Sequence, residues 1–144
     1  MQLSLADDLK INTTKTKDNA RVVLKRYLTW QRIAGKPVID LKSPIIDDMP
    51  KAQNTINNTH SSLLIKIDAA RERDDIIQAL LSISTRSRLI LYYTYCDTRD
   101  YTRIEIGEII NCSEDTVKVA RSAALLEFAE AYRGGKLLVF DTTK

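Results

Sequence analysis

Residues 102–132 read TRIEIGEIINCSEDTVKVARSAALLEFAEAY, and this stretch spells two helices joined by a short turn. Thr102 and Glu105 stand in the T-x-x-E spacing of a capping box, which satisfies free amides at a helix start. Ile106, Ile109 and Ile110 then make an apolar face. Gly107 inside that helix costs about 1 kcal/mol relative to Ala, so its use predicts a close approach by a neighbouring helix. Asn111 tolerates the left-handed backbone that closes a helix, and Cys112 is apolar enough to plug the turn. Ser113 caps the next helix, whose first turn is Glu114-Asp115-Thr116. That helix runs to about Tyr132, with Val117, Ala120, Ala124, Leu125, Phe128 and Tyr132 facing inward. A short helix, a tight turn and a second helix make a helix-turn-helix. In that unit the second helix enters the DNA major groove and offers its N-terminal residues to the base edges.

Working upstream, Ser84 opens a helix that carries Leu89 to Tyr93 and Tyr95, and CDTRD (96–100) is turn-like. An apolar stripe from Leu63, Leu64, Ile67 and Ala70 to Ile76, Ile77, Leu80 and Leu81 predicts one helix over Ser62–Ser82, or two broken near Asp74. The charged run Arg71-Glu72-Arg73-Asp74-Asp75 reads as largely solvated. A helix over about Lys15 to Ala34 has Val23, Tyr27, Trp30 and Ala34 on one face and Arg21, Lys25, Arg32 and Lys36 on another. Gly35 and Pro37 end it. Downstream, Gly134-Gly135 end the last helix, and Leu137–Phe140 alternate like a short strand. The expected fold is all-α: an N-terminal basic helical segment (1–36), a linker (37–60) and a C-terminal helical domain (61–144) with the helix-turn-helix.

The 144 residues carry 22 Lys+Arg and 19 Asp+Glu, a net of +3. Residues 1–60 are at +4 and residues 61–144 at −1. No apolar run approaches the ~18 residues of a membrane span, and MQLSLADDLK is not built like a signal peptide. Cys96 and Cys112 are too few for a disulfide framework. With only His60 beside them, a four-ligand metal site has no donors. There is no phosphate-cradling glycine loop and no carboxylate pair set apart from ordinary surface charge. The expectation is a reduced, cytoplasmic protein that is not an enzyme and takes no cofactor or metal.

Ile106-Gly107-Glu108-Ile109-Ile110-Asn111-Cys112-Ser113-Glu114-Asp115-Thr116-Val117-Lys118 resembles the DNA-binding C-terminal domain of sigma factors, with its E-I-A-x-x-L-g-i-S-x-x-T-V-K pattern. Ser84–Tyr95, with Arg86, Arg88, Leu89 and Leu91, resembles the helix that precedes it there. More of the chain, about Thr16–Tyr132, is similar to the ArpU family of phage transcriptional regulators. The carriers are the Thr16–Ala34 helix with Tyr27, the segments Leu41-Lys42-Ser43-Pro44 and Asp48-Met49-Pro50-Lys51, and the ending Ala124–Tyr132. This resemblance implies a regulator of late phage genes in the bacterial host cell, with an activator as the first expectation and the sign of regulation not legible from the residues. Its partners would be double-stranded DNA, with host RNA polymerase and a second copy of the chain as further candidates.

A helix-turn-helix docked in the usual way presents Ser113, Glu114, Asp115, Lys118, Val119 and Ser122 to the groove. Arg121 is placed for the backbone. Ser113 and Thr116 can donate to phosphates, Lys118 can reach a guanine edge or a phosphate, and Glu114 or Asp115 can accept from cytosine. Each has a plainer role as well. Ser113 caps any helix, Glu114 and Asp115 complement the helix dipole, and Lys118 and Arg121 are ordinary solvated cations. Residues 104–131 sum to −4, whereas affinity for nucleic acid comes largely from cations on phosphate. Arg86, Arg88, Arg99 and Arg103 just upstream can compensate, and Arg21, Lys25, Arg32 and Lys36 can add phosphate or partner contacts. Two other functions fit the same residues: a protein-interaction module docking on polymerase or another regulator, and a terminase small-subunit type of packaging-site binder.

Overall fold

Asn12 opens the first helix by accepting the Lys15 amide on its side-chain oxygen at 3.0 Å, the usual remedy for unsatisfied N-terminal amides. The computed structural model describes residues 9–42 and 60–142. The linker expected over 37–60 lies, for residues 43–59, outside the described residues.

Helix α1 spans Thr13–Lys25 and α2 spans Tyr27–Ala34, so the single helix expected here is broken at Arg26. The Arg26 amide turns to the Val23 carbonyl at 3.1 Å. The break lets α1 lie on α6 (Glu114–Ala131) while α2 lies on α3 (His60–Ser82). Gly35 closes α2 at φ +64°, its amide on the Gln31 carbonyl at 3.2 Å. α3 is one unbroken helix. Its first turns leave Leu64 and Ile67 exposed, contrary to the expected stripe, of which Ile76, Ile77 and Leu80 are the fully buried members.

The run 71–75 is not a solvated face. Arg73 is 2% exposed. Its guanidinium donates to Gln31 Oε1 at 2.7 Å, to the Pro37 carbonyl, and to Asp74 at 2.9 Å. Glu72 and Asp75 both bind Arg133, each at 2.7 Å, and the Tyr132 hydroxyl donates to Glu72 at 3.0 Å. The charges that resemble a solvent face instead fasten the C-terminal turn and the end of α2 to α3.

Helix α4 (Thr85–Leu91), capped by Ser84, continues into a π-helical turn at Tyr92–Cys96. There the Asp97 amide reaches the Tyr92 carbonyl at 3.0 Å, and Thr94 Oγ1 donates to the Ile90 carbonyl at 2.6 Å. Helix α5 (Arg103–Ile110) and α6 follow, each with the expected cap. Past Gly135 the chain turns back along α1. Asn19 donates to the Leu137 carbonyl at 3.1 Å, and Thr16 Oγ1 accepts the Val139 amide at 3.0 Å. The strand expected at 137–140 forms instead as β2 (Phe140–Thr142), antiparallel to β1 (Leu9–Ile11). It starts late because the Val139 amide and carbonyl are held by Thr16 and Asn12. The fold is otherwise helical, as expected.

One core joins Leu24 and Tyr27 of α1 and α2 to Ile76, Ile77 and Leu80 of α3, Leu91 of α4, and Leu125 and Phe128 of α6. Each fully buried side chain of this size contributes about 1.5–3 kcal/mol. A smaller cluster of Ile90, Ile106 and Val117 holds α5 to α4 and α6. Gly107 has its reason there. A Cβ at 107 would run into the carbonyl oxygen of Cys112 and meet Val117 Cγ2 at 3.5 Å. The close approach comes from the backbone of the turn as much as from the next helix.

Two outcomes follow from this packing. Gly107→Ala should destabilise the chain by about 1–3 kcal/mol, the range for overpacking, despite alanine's better helix propensity; an unshifted urea midpoint would contradict the close approach. Burial alone would raise the Glu72 carboxyl, but hydrogen bonds from Arg133 and Tyr132 outweigh it and hold the group below its ordinary value. Such a group stabilises the fold above its unfolded value of about 4.3 and loses that contribution as pH falls through the folded value. Arg133→Gln should therefore cost about 1 kcal/mol at pH 7, discounted for partial exposure, and progressively less below about pH 4. Urea midpoints of both proteins across that range test it.

Candidate nucleic-acid interface

The interface is built outward from the turn between α5 and α6. Thr102 and Glu105 form the capping box, with the Glu105 amide on Thr102 Oγ1 at 3.1 Å and the Thr102 amide on Glu105 Oε1 at 2.9 Å. The bond from the Thr102 amide is the main reason the Glu105 carboxyl lies below its ordinary value. Slight desolvation opposes the shift, and the Arg99 charge adds to it. Asn111 closes α5 at φ +63°. The Cys112 amide returns to the Gly107 carbonyl at 2.7 Å, and Cys112 Sγ accepts from Arg86 of α4 at 3.1 Å. Ser113 accepts the Thr116 amide at 3.1 Å, and the two hydroxyls lie 2.9 Å apart. These bonds set the direction in which α6 leaves the turn.

The first half of α6 stands out from the body. Ser113, Glu114, Asp115, Thr116, Lys118 and Val119 are all exposed, and Val119, an apolar side chain, is 71% exposed. Ser122 is half-buried on the flank of the same surface. Arg121 is half-buried and follows Val117 by one turn, so it stands on the inward edge of the helix rather than beside Val119.

The expected cations are distributed unevenly. Arg103 reaches Glu114 at 3.6 Å, across the opening of α6. Arg99 pairs with Glu105 at 2.7 Å and stacks on the Tyr101 ring at 4.5 Å. Arg86 is exposed, but Arg88 is buried and donates to the Leu41 carbonyl at 3.2 Å. It anchors the chain leaving α2, and the compensation expected from it is not on the surface. Arg21 binds Asp18 at 2.6 Å on the outside of α1, and Lys25 is exposed farther along. Arg32 is exposed on α2, whereas Lys36 is mostly covered and pairs with Asp74 at 2.8 Å. The break at Arg26 therefore divides the basic stripe, sending Arg21 and Lys25 to the α6 side and Arg32 and Lys36 to the α3 side.

Sequence reasoning missed Lys17. Its ammonium donates to Ser122 Oγ at 2.9 Å, which puts it on the flank of the exposed face of α6. The signal was present, because Lys17 precedes Arg21 by four and extends the stripe by one turn. α1 and α6 run side by side in the same direction. Lys17 meets Ser122 at the middle of α6, and Arg26 shares a cleft with Arg133 just past its end. That cleft also takes in Trp30, Asp68 and Arg71, while Glu72, Asp75 and Arg133 within it are bound to one another.

Among the described residues no group of three His, Cys, Asp or Glu side chains is placed to hold a metal ion. No helix among them is long and apolar enough to cross a membrane.

No protein-family model matches the chain, and no solved structure does. A protein of Enterococcus hirae named "Putative autolysin regulatory protein ArpU" is 40% identical to it over 140 residues, which is 97% of this chain and 99% of that protein. A likeness of this degree, spread over essentially the full length of both proteins, establishes that the chain belongs to the ArpU family.

Proposed function

We propose that this protein is a DNA-binding transcriptional regulator that activates late genes of a phage in the cytoplasm of the bacterial host. It inserts the N-terminal half of α6 into the major groove as the second helix of a sigma-like helix-turn-helix. The observation that carries the reading is the exposed opening of α6, capped by Ser113, where Asp115, Lys118 and Val119 face outward together. The exposed Val119 suits a thymine methyl, as Lys118 suits a guanine edge and Asp115 a cytosine amino group. The regulatory name of the Enterococcus hirae relative agrees with the reading. Arg99 and Arg103 stand at the start of α5, where a phosphate backbone flanking the groove would pass. Two copies on adjacent half-sites would add affinity to a weakly charged reading head.

A second reading is favoured by one observation. Ile104 and Ile109 of α5 are 57% and 46% exposed, with Glu105 and Glu108 between them. That mixed apolar and acidic face suits a basic protein surface such as one on RNA polymerase.

Selection from a random-sequence duplex pool should enrich one motif. Lys118→Ala should bind the selected duplex about tenfold or more weakly, as expected for a base-edge contact. An unenriched pool, or an unchanged Kd for the variant, would overturn the reading. Capture of polymerase without DNA, abolished by Ile104→Asp/Ile109→Asp, would favour the second.

A further inference from the structure

The α5–α6 unit carries a net −4 over residues 104–131, yet a duplex presents one phosphate charge every ~1.7 Å along its axis. Beyond Lys118 and Arg121, cations for those phosphates have to come from outside the unit and still lie beside α6. Among the described residues Lys17 meets both conditions. Its Nζ is half-buried at the α1–α6 seam and bonded to the neutral hydroxyl of Ser122 at 2.9 Å. None of the ion pairs among the described residues involves it. An ammonium brings three donors, and one is spent on Ser122. A partly desolvated charge with no counter-ion is costly to hold. The cost is offset if an anion completes the site.

The neighbours fit the same ligand. Lys118 precedes Ser122 by one turn of α6 and is exposed, and Thr14 and Arg21 sit one turn either side of Lys17 on α1. Lysine, arginine and hydroxyl side chains are the groups that contact nucleic-acid phosphates, although Arg21 would have to share its guanidinium with Asp18, 2.6 Å away.

Resting on the proposed reading of α6, we infer that Lys17 and Ser122 form a phosphate clamp. It holds one backbone phosphate of the strand that borders the groove occupied by α6, with Lys118 and Arg21 on either side. The clamp reads no sequence. It sets how far α6 advances along its own axis, because Ser122 is fixed to α6 and Lys17 to α1.

A phosphate contact is sequence-independent, so the probe is a mixed-sequence 30-base-pair duplex titrated from low to moderate salt. The plot of log Kd against log salt for Lys17→Met should be shallower than wild type by about 0.9, the value of one released counterion. Lys17→Arg should keep the wild-type slope, and Ser122→Ala should weaken binding less than Lys17→Met. Arg71→Gln, which removes the same charge from the exposed side of α3, should leave the slope unchanged. Thermal unfolding of each variant verifies that it is folded. Wild-type slope in Lys17→Met, or an equal loss in Arg71→Gln, would overturn the clamp while leaving the reading of α6 intact. Absence of duplex binding by the wild-type protein even at low salt would overturn both.

Discussion

The architecture depends on one buried guanidinium. Arg73 sits at the middle of α3 with its donors spent on Gln31 of α2, the Pro37 carbonyl beyond α2, and Asp74, which also holds Lys36. A buried cation left without such partners would cost several kcal/mol, so the end of α2 and the chain that follows it have one low-energy place to be. Once α2 is fixed along α3, the break at Arg26 aims α1 across the other side of the core and onto α6. The Arg88 contact to Leu41 fixes the same stretch from the α4 side. Thus two buried arginines, both bonding to backbone carbonyls of the segment after α2, decide where the N-terminal cations go.

The α5–α6 unit is organised by short-range constraints instead. Its caps, the left-handed Asn111 and the contact between Gly107 and Cys112 all act within about ten residues. The apolar cluster behind it is small, with Ile90, Ile106 and Val117 at its centre. The orientation of α6 therefore rests on turn stereochemistry as much as on buried area. A unit of this kind can keep its form while its outer surface changes, since Asp115, Lys118 and Val119 take no part in holding it.

This division explains what could be read from the residues. The caps at Ser84, Thr102 and Ser113, the extent of α6 and the closing role of Asn111 depend on local spacing, and the sequence shows each of them. Arg73 could not be read, because a charged run has the same appearance whether it meets water or the partners that chain folding brings from forty residues away. The break at Arg26 has no glycine or proline to mark it and follows from the two helices it must satisfy. Ile109 continues the pattern of Ile106 and Ile110 but is 46% exposed, since α5 packs through the Gly107 side. At the candidate interface, the α6 residues were legible from the motif. Lys17 was hidden because its meaning comes from Ser122, 105 residues away.

The electrostatics separate two tasks within the proposed interface. An acidic reading helix pays a repulsive cost on any duplex, and that cost falls hardest where no base contacts offset it. Cations held on α1, outside the unit, attract phosphate without regard to sequence. The acidic groups then penalise every register in which Asp115 and Lys118 lack base partners. On the proposed reading, discrimination comes from the α6 side of the seam and general affinity from the α1 side, and the hydrogen bond from Lys17 to Ser122 links the two. The broken N-terminal helix, whose second half is tied to Arg73, is what carries those cations to α6.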